Sequence, residues 1–193
     1  MTANNPLLPY TAQYIALSPA EDQQLLQHIE PASFKKGEFL LEAGQRCNRQ
    51  YFITQGCTRT YYVDKGAEEH IIQFGIENWW AADLHSFINH TPADYHIQAL
   101  ESTEVLILKQ EVLEELYLKI PQLERLFRII IQNAYVAAQQ RIVATISQTA
   151  EERYTAFLQK YPGLSQRVPQ YMIASYIGVT PEFFSKMKKE FYR

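Results

Sequence analysis

The residues best placed to do chemistry lie near the end of the chain. Glu182 and Lys186 stand four residues apart, with Lys188, Lys189 and Arg193 close behind. On a helix that spacing puts Glu182 and Lys186 on one face. A lysine there can donate to guanine, a glutamate can accept from the cytosine amino group, and the further cations suit phosphate. The same pair could instead form a solvent-facing i,i+4 ion pair. What precedes them decides how they are carried. Counting Gln170 as the first position, small Ala174 is fifth, Gly178 ninth and apolar Phe184 fifteenth. This is the pattern of a helix-turn-helix: the small residue lets two helices approach, and glycine supplies a left-handed turn. Thr180 is expected to cap the second helix and Pro181 to open it. Phe184 and Met187 should pack the helices together. Phe183 and Ser185 join the groove-facing set, and Tyr171 and Thr180 could anchor the phosphate backbone. An ordinary helical hairpin shares the Ala–Gly spacing, but the cluster of cations favours DNA.

The charge distribution agrees. The chain has 193 residues and a net charge of −3, yet from Lys160 onward six Lys/Arg face two Asp/Glu, a local +4. The remainder therefore carries −7, an acidic body with a basic end that points its positive face at phosphate. No run of 18 apolar residues exists and the start lacks a basic, then apolar, leader, so no membrane contact and a cytoplasmic location are expected. Cys47 and Cys57 read as reduced structural residues, and two cysteines cannot supply the four thiolates of an iron–sulfur cluster.

Several elements must position this end. Ser18-Pro19 opens a short helix running to about His28. From Phe34 to Leu108, short runs rich in Phe, Ile, Val, Tyr and Thr are broken by turns, which predicts a small antiparallel barrel or sandwich. Thr58–Val63 followed by Asp64-Lys65-Gly66 is the clearest hairpin arm. A short helix over 111–118 precedes a long one from Pro121 to about Ser147, roughly 39 Å at 1.5 Å per residue. Leu123, Phe127, Ile130, Ala134, Ala137, Arg141 and Ala144 recur along it every three or four residues, a seam that suits pairing with a second copy or packing on the barrel. Another helix spans 151–161. The fold class is thus α+β, with a β-barrel or jelly-roll domain over 1–120, a dimerisation helix over 121–147 and a helix-turn-helix domain over 148–193.

This order resembles the Crp-Fnr family of bacterial transcription regulators. The resemblance is carried by Phe34-Lys35-Lys36-Gly37-Glu38-Phe39-Leu40, Gly44 ahead of Tyr51-Phe52-Ile53, Gly56 with Arg59, Ile97-Gln98-Ala99-Leu100 and the helix-turn-helix. It implies a homodimer that reads a near-palindrome in double-stranded DNA, with RNA polymerase a further candidate partner. Pro181 stands where well-known members carry an arginine, so their target sequence is not expected to transfer. Members often add a β-hairpin wing after the recognition helix. Here the chain stops at Arg193, so a compact wingless variant is expected.

Members that bind cyclic AMP hold the ribose with a glutamate and the cyclic phosphate with an arginine ten residues later. Alignment on Ala99 places Asp83 and Ala93 at those positions, with Ala82 in place of a glycine. A buried phosphate without a cation would cost about 3–5 kcal/mol, and Asp83 and Asp94 would add repulsion. Cyclic AMP is therefore not expected as a cofactor. Leu84, Tyr95 and Gln139 complete a degenerate pocket with Asp83, Ala93 and Asp94, for an unknown small-molecule effector or for none; Trp79, Trp80, His85, His96 and Ala138 are further lining candidates. His85, His90 and His96 match no metal spacing, and no catalytic constellation is found, so neither metal nor enzymatic activity is expected. The rival reading is a ligand-sensing module whose terminal helices bind a protein partner.

Overall fold

The computed structural model describes residues 5–191. The expected α+β class is what it contains, and the chain divides into two compact units. The first takes the chain up to Tyr61 together with Phe74–Gln132. The second takes Tyr62–Gln73 together with the chain from Asn133 onward. The division falls inside the long helix and detaches one hairpin arm from the strands that carry it.

In the first unit, α1 (Leu7–Thr11) and α2 (Pro19–Gln27) lead into strand β1 (Ile29–Phe34). A capping box starts α2: the Ser18 hydroxyl accepts from Glu21 N at 3.3 Å, and the Glu21 carboxylate accepts from Ser18 N at 2.7 Å. Then come β2 (Phe39–Leu41), β3 (Arg49–Gln55), β4 (Thr58–Val63), β5 (Glu69–Gly75) and β6 (Trp80–Ala81). After α3 (Leu84–Asn89) follow β7 (His96–Ala99), β8 (Thr103–Lys109) and α4 (Gln110–Lys119). The strands form two four-stranded sheets in the orders β1-β8-β3-β6 and β2-β7-β4-β5. The β1–β8 pair runs antiparallel from Ile29 opposite Leu108 to Phe34 opposite Thr103.

On β7 alternation buries Ile97 and Ala99, which stand opposite buried Thr60 and Thr58 of β4; β4 itself does not alternate there, because Arg59 and Tyr61 are buried too. β3 is buried on both faces, because Phe52 also packs against Tyr10 at 5.0 Å and Trp80 at 5.2 Å. Trp80 in turn meets Phe127 of α5 (Gln122–Ser147) at 5.4 Å. Trp80 thus sits in a seam between sheet and helix. Gly56 turns β3 into β4 at φ +99°, where a Cβ would lie 2.6 Å from the Ser102 carbonyl.

The long helix has 26 residues. Leu123, Leu126 and Phe127 bury its first turns, while Ile131, Tyr135, Ile142 and Ile146 leave a later apolar stripe exposed, Ile146 to 81%. That stripe lies about one residue round from the seam read in the sequence. Arg141, counted within the seam, turns instead towards the second unit's own backbone carbonyls.

The second unit contains the arm Tyr62–Gln73, the rest of α5, α6 (Ala150–Lys160), a 3-10 turn at Leu164–Gln166, α7 (Gln170–Ile177) and α8 (Pro181–Phe191). The arm bends between β4 and β5 where Asp64 accepts from Gly66 N at 2.8 Å and Glu68 N at 3.0 Å. Ala67, not Gly66, carries the positive φ of +61° there. The hydrogen bond with His70, followed by that from Glu68 N, holds the Asp64 carboxyl below its ordinary range. No helix among the described residues is long and apolar enough to cross a membrane.

Candidate nucleic-acid interface

α7 ends where Gly178 takes a left-handed φ of +74°, with Val179 N bonded back to Ala174 O at 3.0 Å. α8 begins two residues later. The Thr180 hydroxyl accepts from Phe183 N at 3.2 Å and its carbonyl from Phe184 N at 2.9 Å, with Pro181 as the first helical residue. These are the cap, turn and start expected from Gly178-Val179-Thr180-Pro181.

Burial then sorts the two helices into faces. Ala174, Ile173 and Ile177 of α7 and Phe184 and Met187 of α8 are buried. Phe184 meets the Tyr154 ring of α6 edge-on at 5.1 Å. On the other side of α8, Glu182, Phe183, Ser185, Lys186 and Lys189 are exposed, and Lys188 is half-buried. Tyr171 and Thr180 are exposed beside them, and Arg193 lies outside the described residues. Lys186 and Glu182 have no side-chain hydrogen bond or ion pair among the described residues, so the i,i+4 bridge is unmade and both groups are free to reach a ligand.

Two arginines hold the turn: Arg141, counted within the seam of the long helix, and Arg153, which the sequence does not single out. Arg141 of α5 donates to Tyr176 O at 3.0 Å and Arg153 of α6 donates through Nε to Ile177 O at 2.7 Å. These carbonyls form the negative end of α7, where guanidinium groups are favourable. Arg141 also stacks on the Tyr176 ring at 4.3 Å. Its signal in the sequence was a lone cation among Ala134, Ala137 and Ala144 on one helix face. A groove of about 990 Å³, lined by residues such as Val143, Ala144, Phe157 and Ile177, runs beside it. Gln139 lines that groove and donates to the Tyr135 hydroxyl at 3.1 Å.

In the first unit, Asp83 is only 1% exposed. It caps α3 by accepting from Ser86 N at 3.0 Å through one oxygen. Its other oxygen accepts from Asp94 N at 3.0 Å and Tyr95 N at 3.3 Å. Convergent backbone N–H groups of this kind form a nest that suits an anion, and here the protein's own carboxylate fills it. Ala93 beside the nest is buried; Asp94 is exposed and lies 3.8 Å from His85. Leu84 and Tyr95 are half-buried. Burial, then the charges of Asp83 and Asp94, push the Tyr95 phenol above its ordinary pKa. His96 stacks on Tyr61 at 4.9 Å and bonds to Ala43 N, while His90 accepts from Arg46, so the three histidines are not brought to one point. Cys47 and Cys57 are buried thiols, and burial raises the pKa of Cys47.

The cyclic nucleotide-binding domain family profile matches residues 31–119. The chain is similar to the fumarate and nitrate reduction regulatory protein of Vibrio cholerae, 29% identical over 201 residues that span 96% of this chain and 76% of that protein. It is 30% identical over 140 residues to the transcriptional activator protein Anr of Pseudomonas protegens, covering 72% of this chain and 57% of Anr. Among solved structures, FixK2 from Bradyrhizobium japonicum shares the fold with a TM-score of 0.74 at 19% identity, over 85% of this chain and 84% of that one. The c-di-GMP-responsive regulator CLP of Xanthomonas campestris does so with a TM-score of 0.72 at 12% identity, over 90% of this chain and 91% of that one.

Proposed function

Because the chain belongs to the Crp-Fnr family of transcription regulators, we propose that it acts as a homodimer that reads a near-palindromic DNA site with α8. The observation that carries this reading is the exposed face of α8. Glu182 and Lys186 stand free on a helix whose cap, turn and buried side are all built. Lys186 suits guanine O6/N7, Glu182 suits a cytosine amino group, and Lys188 and Lys189 suit phosphate. The exposed stripe Ile131, Tyr135, Ile142 and Ile146 supports pairing of the long helix with a second copy. Two recognition helices would then meet half-sites about 34 Å apart, one turn of DNA.

Selection of genomic fragments by the purified protein at moderate salt tests this. A palindrome should be recovered, and Lys186→Ala should weaken specific binding by roughly tenfold to a hundredfold and relax preference at one base pair. Recovery of no preferred sequence, with a protein partner captured instead, would favour the sensing module.

The occupied nest at Asp83 supports a pocket that does not take a cyclic phosphate, since such a ligand would have to displace a buried carboxylate from three amides. Cyclic AMP at a hundred times the dissociation constant of a genuine binder would add about 2.7 kcal/mol to stability. Thermal melting with saturating cyclic AMP should show no shift here; a clear rise would refute the reading.

A further inference from the structure

We propose that the arm Tyr62–Gln73 is a strap that sets the pose of the helix-turn-helix, and that Ser175 and Arg141 are positioning residues for DNA reading. The inference rests on the DNA-reading function above. β5 is the last strand of its sheet, so one side of its backbone lacks a strand neighbour. Ser175 of α7 meets that side. Its hydroxyl accepts from Ile71 N at 3.0 Å and donates to Glu69 O at 3.1 Å, so one side chain satisfies an amide and a carbonyl two residues apart on that edge. Arg141 adds donors from the long helix to Ile71 O at 2.9 Å and to Ile72 O. The same guanidinium reaches Tyr176 O at 3.0 Å. One side chain thus joins the arm, the long helix and the end of α7.

The site of attachment matters. Ser175 and Tyr176 lie just before Gly178, and α8 follows from that turn with Phe184 and Met187 buried. Base readout needs side chains held within about 0.5 Å, so a shift of α7 is carried to Glu182 and Lys186. Because every hydrogen-bond acceptor of the Arg141 side chain among the described residues is a backbone carbonyl, its hold on the arm depends on the arm's path rather than on the arm's side chains. Only a planar fork of donors can serve three carbonyls and stack on a ring; a lysine supplies the charge without the fork.

The test compares wild type, Ser175→Ala, Arg141→Lys and the double variant. It reads dimer state, specific and non-specific DNA affinity, and amide exchange at Ile71. Neither residue is on the exposed face of α8. Each variant should speed Ile71 exchange and lower specific affinity by roughly fivefold to tenfold, the size of one net hydrogen bond. Non-specific affinity, its salt slope and the dimer should stay unchanged, and the double variant should lose less than the sum. Faster Ile71 exchange with unchanged or increased specific affinity would overturn the strap. Should Arg141→Lys fail to fold, Ser175→Ala alone decides by the same readings. A wild type that selects no DNA would instead overturn the function on which the strap rests.

Discussion

Asp83→Ala is expected to lower the melting midpoint of the barrel by roughly 6–12 °C, from a loss of about 3 kcal/mol. The carboxylate is 1% exposed and accepts from Ser86, Asp94 and Tyr95 amides. An alanine leaves three donors without an acceptor where water is scarce, each worth about 1–3 kcal/mol if fully buried and less where the nest is partly open. One of these three bonds, from Ser86 N, is the cap of α3, and its loss alone accounts for about 1 kcal/mol of that total. Asp83→Asn keeps one oxygen and should lose about half as much. Added formate should recover part of the midpoint of the alanine variant and leave wild type unmoved, because only the variant has an empty nest. An alanine variant melting with wild type would show that the carboxylate holds nothing.

Phe184→Ala should be comparably severe, at about 3–5 kcal/mol, and should fall on the second unit. The ring is 1% exposed and lies edge-on to Tyr154 at 5.1 Å, so its removal empties the centre of the helix-turn-helix. Specific DNA binding should drop by more than roughly a hundredfold, since a loss of 1.4 kcal/mol already costs tenfold once the reading fold is marginal. Phe184→Leu, which keeps most of the volume, should cost less than about 1.5 kcal/mol and retain binding. Urea unfolding followed by helical signal, alongside DNA titration, separates these outcomes. Equal binding by both variants would place Phe184 outside the packing that supports α8.

What was legible in the sequence is what depends on neighbours along the chain. Gly178, Thr180 and Pro181 announce a turn and a helix start through their own backbone preferences, and Ser18 with Glu21 announces α2 in the same way. The alternating runs foretold the sheets. Contacts set by distant backbone were not legible. Arg141 finds the Ile71 and Tyr176 carbonyls 70 and 35 residues away, and nothing local to it signals either. Asp83 reads as a charge facing a pocket until the amides of Asp94 and Tyr95, 11 and 12 residues on, are seen to take it. The exposed apolar stripe of the long helix lies one residue round from the seam for a related reason: spacing alone does not say which of two adjacent faces distant parts of the chain will cover.

The hydroxyl of Ser175 on β5 has a bearing on solubility. A strand edge with free amides and carbonyls is a template on which other chains pair, and proteins blunt such edges with charges, prolines or covering elements. Here the cover is a side chain borrowed from a helix more than a hundred residues downstream. Without α7, the arm would present that edge uncovered, with Ile71 and Ile72 on it. On the proposed reading, the helices that meet DNA would therefore also shield this strand edge from pairing with other chains.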